Sequence, residues 1–255
     1  MNANRALLPA VLILASCHAP HGAHAVLRHV VYLPDATASI EPAAFNQAMH
    51  AIVAVAEQLR RGDCISVIPI ISDSTTTPED QIVRMCVPTE RQPYDQDIQD
   101  FRTNIAKALA EQARQLSDRR SIKTDILGAL KMADQEFALD SPDVWKTLFI
   151  FSDFLQEDSF YDFTRSPDLA SPESAERLAQ SLARGSIAGC SKAGNLAHVN
   201  VFLGNLPSTE LPRLPPQRQA AIQQFWIAYL SACKAKPFFA IDGPGMSSRF
   251  LSPGN

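Results

Sequence analysis

At 255 residues, with 46% hydrophobic and 20% charged residues, the chain has the size and composition of one sizeable α/β domain of a globular protein. A net charge of −4 gives no electrostatic footing for nucleic acid. Beyond the N-terminus no stretch is long and apolar enough to span a bilayer.

Residues 1–16 read as a lipoprotein signal peptide. Arg5 supplies a positive start, and residues 6–16 form an apolar stretch too short for a stable span. The stretch ends in Leu14-Ala15-Ser16-Cys17, which resembles a bacterial lipobox. In that reading Cys17 is lipidated on its sulfur and becomes the new N-terminus, and several acyl chains anchor stably where one is marginal. The alternative is an ordinary signal peptide cut after Ala25. The lipobox is favoured because it closes the apolar stretch directly. His18, rather than Asp, follows the Cys and points to the outer membrane. Residues 17–25 form a short tether, 26–242 the folded domain and 243–255 a C-terminal tail. The expected location is the bacterial cell envelope, facing the periplasm, with the membrane touched only through the lipid anchor.

The hydrophobic pattern then alternates. A strand is expected at 26–33 and a helix at 42–61, with Pro42 in its first turn and Phe45, Met49, Ile52, Val53 and Ala56 on one face. A buried strand at 64–71 meets a polar turn at 72–79 and returns at 81–87. Helices follow at 95–116 and 125–138, the second opened by Thr124 as N-cap. A strongly apolar strand at 145–152 leads to a helix at 173–184, a strand at 199–203, a helix within 212–235 and a last strand at 237–241. This order predicts a doubly wound, mostly parallel six-stranded sheet with helices on both faces and one antiparallel edge strand. The antiparallel return at 81–87 sets the direction of everything after it. With it, Asp35, the 72–79 turn, Thr124 and Asp153 all emerge at one edge, where ligands of such sheets bind.

Setting Cys17 aside leaves Cys64, Cys86, Cys190 and Cys233. An even count in an oxidising compartment predicts two disulfides. Cys64 and Cys86 lie equally far from Thr75, near the centre of the turn, so a hairpin sets them opposite each other. The expected pairing is Cys64–Cys86 with Cys190–Cys233; buried free thiols are the alternative. No pair has the spacing of a zinc site.

Asp35, Thr37 and Ser39, then Thr124, then Asp153 supply only oxygen, the donor a hard divalent cation prefers. With the order of the elements, these residues resemble the von Willebrand factor type A domain and its metal ion-dependent adhesion site. The resemblance implies that Thr37, Ser39 and Thr124 bind a cation through their hydroxyls, while Asp35 and Asp153 hold metal-bound waters. It implies Mg2+, with Mn2+ or Ca2+ equally able to accept oxygen, and a protein partner that completes the shell with an Asp or Glu. Two departures stand out. Thr37 replaces the family's first Ser and keeps the hydroxyl. Phe154 follows Asp153 where the family usually has Gly. The loop after Asp153 carries Phe154, Phe160, Tyr161 and Arg165, residue types that favour interfaces, and these are expected to touch the partner.

The expected function is therefore metal-dependent protein binding without catalysis. A magnesium-dependent phosphoryl hydrolase on the same edge is the alternative, but no GxSxG or GxxxxGK[ST] motif is present and none of the six His neighbours these residues. A structural or assembly lipoprotein with an inactive metal site is the third reading.

Overall fold

The computed structural model describes residues 27–90, 92, 95–185, 190 and 194–240. The expected signal peptide, Cys17, the expected tether and the expected C-terminal tail lie outside the described residues. At the centre of the fold is β1 (Arg28–Pro34), buried along its whole length. It pairs in parallel with β4 (Trp145–Ser152) on one side and β2 (Cys64–Val67) on the other. The sheet continues through β5 (Asn200–Asn205) and β6 (Lys236–Ala240) on the β4 side and ends with β3 (Val83–Cys86) beyond β2. Its order is β3-β2-β1-β4-β5-β6, and only β3 is antiparallel to its neighbour.

Strands covered on both faces read as near-continuous apolar runs, which is how β1 and β4 are written. Alternate side chains serve two cores. Val31, Leu33, Leu148 and Ile150 pack beneath α3 (Ile126–Phe137), α4 (Pro172–Arg184) and α5 (Pro216–Ala232), with Trp226, Tyr229, Phe137, Phe163 and Phe225 as the largest fillers. Val30, Tyr32, Phe149 and Phe151 face the opposite core under α1 (Pro42–Ala56) and α2 (Gln96–Asp118). There Tyr32 stacks on Phe149 with ring centres 4.6 Å apart.

The expected and observed bounds differ most in two places. The first helix ends at Ala56, short of position 61. Gly62 turns the chain with φ +82°, and the buried carboxylate of Asp63 accepts from Arg60 N at 2.8 Å and Arg28 N at 2.9 Å. Those bonds end the helix from outside it. The pairing of β2 with β3 is also shorter than a continuous hairpin, because Ser74–Thr76 and Glu79–Gln81 form separate 3₁₀ turns. Ile68 and Ile70 still follow β1, donating to Tyr32 O and Pro34 O at 2.9 Å each.

Both disulfides are present. Cys64 and Cys86 sit opposite each other in the β2–β3 register, and Cys190 joins Cys233 at the end of α5. The first links residues separated by 22 positions, a closure worth about 3 kcal/mol on chain-entropy grounds. Cys64→Ser with Cys86→Ser should lower unfolding free energy in urea by about that amount while the far-ultraviolet spectrum stays native. An unchanged midpoint would show that β3 is held without the bridge.

Candidate metal centre

Asp35 follows directly on β1 and is fully buried. Its Oδ1 accepts from Thr37 N at 2.9 Å and Thr37 Oγ1 at 2.6 Å. Its Oδ2 accepts from Ser152 Oγ at 2.6 Å, across the β1–β4 pair. The Thr37 hydroxyl thus spends its one proton on Asp35 and keeps its lone pairs for something else. Ser39 Oγ lies 3.1 Å from Thr37 Oγ1. Two oxygens at right angles around an octahedral magnesium, each about 2.1 Å from it, are about 3.0 Å apart.

Asp153 follows directly on β4 and is also fully buried. Its Oδ1 accepts from Leu155 N at 3.1 Å. Its Oδ2 has no partner in normal hydrogen-bond geometry among the described residues, although the Ser208 hydroxyl is near enough to favour the charged form. Burial, followed by the like charge of Asp35, pushes Asp153 up to about 7. Burial also raises Asp35, against its bonds to Ser152 and Thr37 and the more distant charge of Arg120. Neither carboxylate has an ion pair among the described residues. Two buried, mutually repelling carboxylates with an orphaned oxygen, beside hydroxyls at ligand spacing, fit a hard divalent cation.

Thr124 reaches the same edge through its backbone. Its N–H donates to Glu157 O at 3.0 Å and its carbonyl accepts from Glu157 N at 2.8 Å. The preceding loop is pinned to the first motif by Ala38 N, which donates to Ser121 O at 2.7 Å. Thr124 is not the cap of α3, contrary to expectation. Asp125 is, accepting from Gly128 N at 2.8 Å. A side chain at 128 would collide with that carboxylate, so glycine is required there. Asp125 Oδ2 also accepts from Ser74 N at 3.0 Å. Gln156, fully buried, donates to Asp125 Oδ1 at 3.2 Å and accepts from Ile126 N and Leu127 N at 2.8 and 3.1 Å. One carboxylate and one amide thereby tie the 71–76, 121–126 and 153–158 loops together.

Asp35, Thr37 and Ser39 are in direct contact, and Asp153 feels Asp35 through space. No side-chain hydrogen bond joins Thr124 to those four among the described residues. No three His, Cys, Asp or Glu side chains gather as a metal site among the described residues, because this donor set is mostly hydroxyl.

The loop after Asp153 corrects one expectation. Phe154 does not face a partner: it is buried, 6.4 Å from the Trp226 ring, and its carbonyl accepts from Trp226 Nε1 at 3.0 Å. Its φ of +64° is the left-handed conformation that glycine would adopt freely. Phe160 is 80% exposed, Tyr161 is half-buried against the core, and Arg165 is exposed beside Asp162. Ser152, Gln156 and Arg120 also support the site and belong to no motif in the sequence. Ser152 had a visible signal, as the polar residue that closes an apolar run. Arg120 donates to Ile40 O at 2.7 Å and lies 5.7 Å over the Phe45 ring, which no spacing foretells.

A parallel sheet with one antiparallel edge strand, carrying these loops at the strand ends, decides the fold. The chain has the doubly wound, mostly parallel α/β fold with one antiparallel edge strand that a resemblance to the von Willebrand factor type A domain implies. No protein-family model and no curated protein matches the sequence. Solved structures do. The chain is similar to a von Willebrand factor type A protein from Catenulispora acidiphila, with 15% identity over 88% of this chain and 40% of that one, and a TM-score of 0.46. It is similar to an aerotolerance-related membrane protein from Bacteroides fragilis, with 11% identity over 88% and 95% of the two chains and a TM-score of 0.44. It is also similar to the manganese-loaded TRAP protein of Plasmodium vivax, with 10% identity over 89% and 73% and a TM-score of 0.41. The chain spans 40% of the first of these. With every one of these scores below 0.5, the description of the fold rests on this chain's own strand order.

Two outcomes are expected. In the metal-free domain the folded state holds the Asp153 proton from the ordinary carboxylate range up to about 7, while the unfolded chain releases it near 3.8. Unfolding free energy should therefore fall as pH rises through that window and level off above it. Asp153→Asn in EDTA should flatten the slope, read from urea unfolding at stepped pH. Separately, Phe154→Gly relieves a left-handed strain of roughly 1–2 kcal/mol but gives up a buried phenyl worth roughly 3–5 kcal/mol. Net destabilisation is expected by thermal melting; a raised melting temperature would mean strain dominates.

Proposed function

We propose that this chain is a lipid-anchored protein of the bacterial cell envelope whose von Willebrand factor type A domain binds a protein partner through a divalent cation. The observation that carries the reading is the Thr37–Ser39 oxygen pair, 3.1 Å apart, with the Thr37 proton committed to Asp35. Thr37, Ser39 and Thr124 would hold Mg2+, Mn2+ or Ca2+, and Asp35 and Asp153 would orient its waters. When bound, the cation supplies an open position for an Asp or Glu carboxylate of the partner. Asp35 keeps the Thr37 hydroxyl turned so that it can accept a cation. Asp153 contributes negative charge from a site that excludes bulk water. No catalytic step is assigned to any residue.

The orientation suits an anchored binder. β1 begins at Arg28, just after the proposed tether, and Asp35 lies at its other end, roughly 20 Å away. The proposed site would then face away from the membrane.

Calorimetry with magnesium and manganese tests the reading. Heat of binding at up to millimolar ion is expected for the parent, with at least about tenfold weaker binding for Ser39→Ala, the loss of one good ligand. A pull-down from envelope extract should lose its partner on adding EDTA and again with Ser39→Ala. No heat from a folded parent sample would sink the proposal. Phosphomonoester turnover that vanishes in Ser39→Ala would replace it with a magnesium-dependent hydrolase.

A further inference from the structure

We infer that the groove beside the candidate metal centre receives an acidic segment of a protein partner, with an apolar side chain close to the carboxylate that seeks the cation. This rests on the metal-binding reading above. The groove is a cavity of about 620 Å³ between the 71–81 turn and the end of α2 with the loop that follows it. Ile71, Pro78 and Leu116 line it with apolar surface, and Arg119, Ile122 and Lys123 stand on its rim.

Three observations define the occupant. First, the groove and the metal centre share a wall. Ile122 and Lys123 immediately precede Thr124, and Ser121 pairs with Thr37 while accepting the Ala38 N–H at 2.7 Å. A chain that lies in the groove with its carboxylate at the cation would therefore pass the 121–123 loop. Second, Ile122 is 87% exposed, the highest value of any large apolar side chain among the described residues, and it stands at that crossing. An apolar side chain left in water at a site rim is available for burial by a partner. Third, two cationic side chains, Arg119 and Lys123, line one wall of the groove. Arg119, Arg120 and Lys123 lie within five positions, in a chain whose net charge is −4. Arg119 and Lys123 are exposed and form no ion pair among the described residues. Cations on an otherwise acidic protein, beside an apolar trough, complement a segment of mixed acidic and apolar residues.

The probe is a fluorescein-labelled peptide of alternating Asp and Leu, measured by anisotropy against the full folded domain in magnesium. Controls are the Asn–Leu counterpart and vesicles with anionic headgroups. The variant is Arg119→Glu with Lys123→Glu, both on the surface, and its magnesium affinity is measured by calorimetry alongside. Magnesium binding is expected to be unchanged, while peptide affinity falls about tenfold or more and the parent's affinity weakens with added salt. The Asn–Leu peptide should not bind, and Ile122→Ser should weaken the Asp–Leu peptide alone. Peptide affinity unaltered by the charge reversal, with magnesium still bound, would overturn the groove and leave the metal reading intact. The groove proposal also fails if the parent binds magnesium but no peptide at millimolar concentration, or if vesicles bind through Arg119 and Lys123 while the peptide does not. Absence of magnesium binding by the parent identifies a failure of the metal reading itself.

Discussion

Two buried carboxylates that repel each other and form no ion pair among the described residues are the constraint around which this molecule is arranged. Burying a charge is expensive unless it is hydrogen-bonded or paired. Asp35 meets that demand with three donors, two from Thr37 and one from Ser152. The Ser152 bond exists because the β1–β4 register sets Pro34 opposite Phe151, so the residues just past them are neighbours. Asp153 meets it only in part, through Leu155 N and the nearby Ser208 hydroxyl. The asymmetry is informative. Asp35 organises the loop, and Asp153 is left with an oxygen to offer.

The sheet topology makes this juxtaposition possible. Had β3 run parallel to β2, α2 would start from the other edge and deliver Thr124 to the wrong end of the sheet. The reversal is secured by more than the Cys64–Cys86 bridge. Arg84 on β3 pairs with Glu136 on α3, Glu136 accepts from Ser66 on β2 at 3.1 Å, and Ser66 bonds His29 Nε2 on β1 at 3.0 Å. His29 Nδ1 then meets Asp140 just past α3. This run of polar side chains threads the otherwise apolar sheet and explains two features that interrupt its hydrophobic pattern, His29 and Ser66. It fixes three strands and one helix relative to each other, and thereby the position from which the Thr124 loop departs.

What could be read from the sequence divides along physical lines. β4 was legible to the residue at 145–152 because a strand buried on both faces has a bounded apolar run. The disulfide pairing was legible because it follows from symmetry about the turn. The end of α1 was not, since Glu57 to Arg61 are good helix formers and the terminator is Asp63 bonding to Arg28 from a distant strand. The cap of α3 was misplaced by one residue. Thr124 and Asp125 are both competent caps, and the choice was made by Glu157, which binds the Thr124 backbone. Phe154 was misread because an aromatic in a polar loop resembles a contact residue until Trp226 is known to lie against it. In each miss the deciding group was remote in sequence.

Two hollows near the candidate centre meet at Ser72 and carry opposite charge. On one side stand Arg119 and Lys123. On the other a smaller hollow is lined by Asp73, Asp125 and Asp158 with Phe160 and Tyr161. A cation held at the centre is indifferent to the direction in which a partner strand crosses it. The flanks are not, because a segment laid in reverse would bring its acids against Asp73 and Asp158, and like-charge contact disfavours the wrong pose. In the proposed reading the cation would furnish a general point of attachment, while this chain's own loops, which the adhesion motif does not include, would favour one partner sequence and one direction.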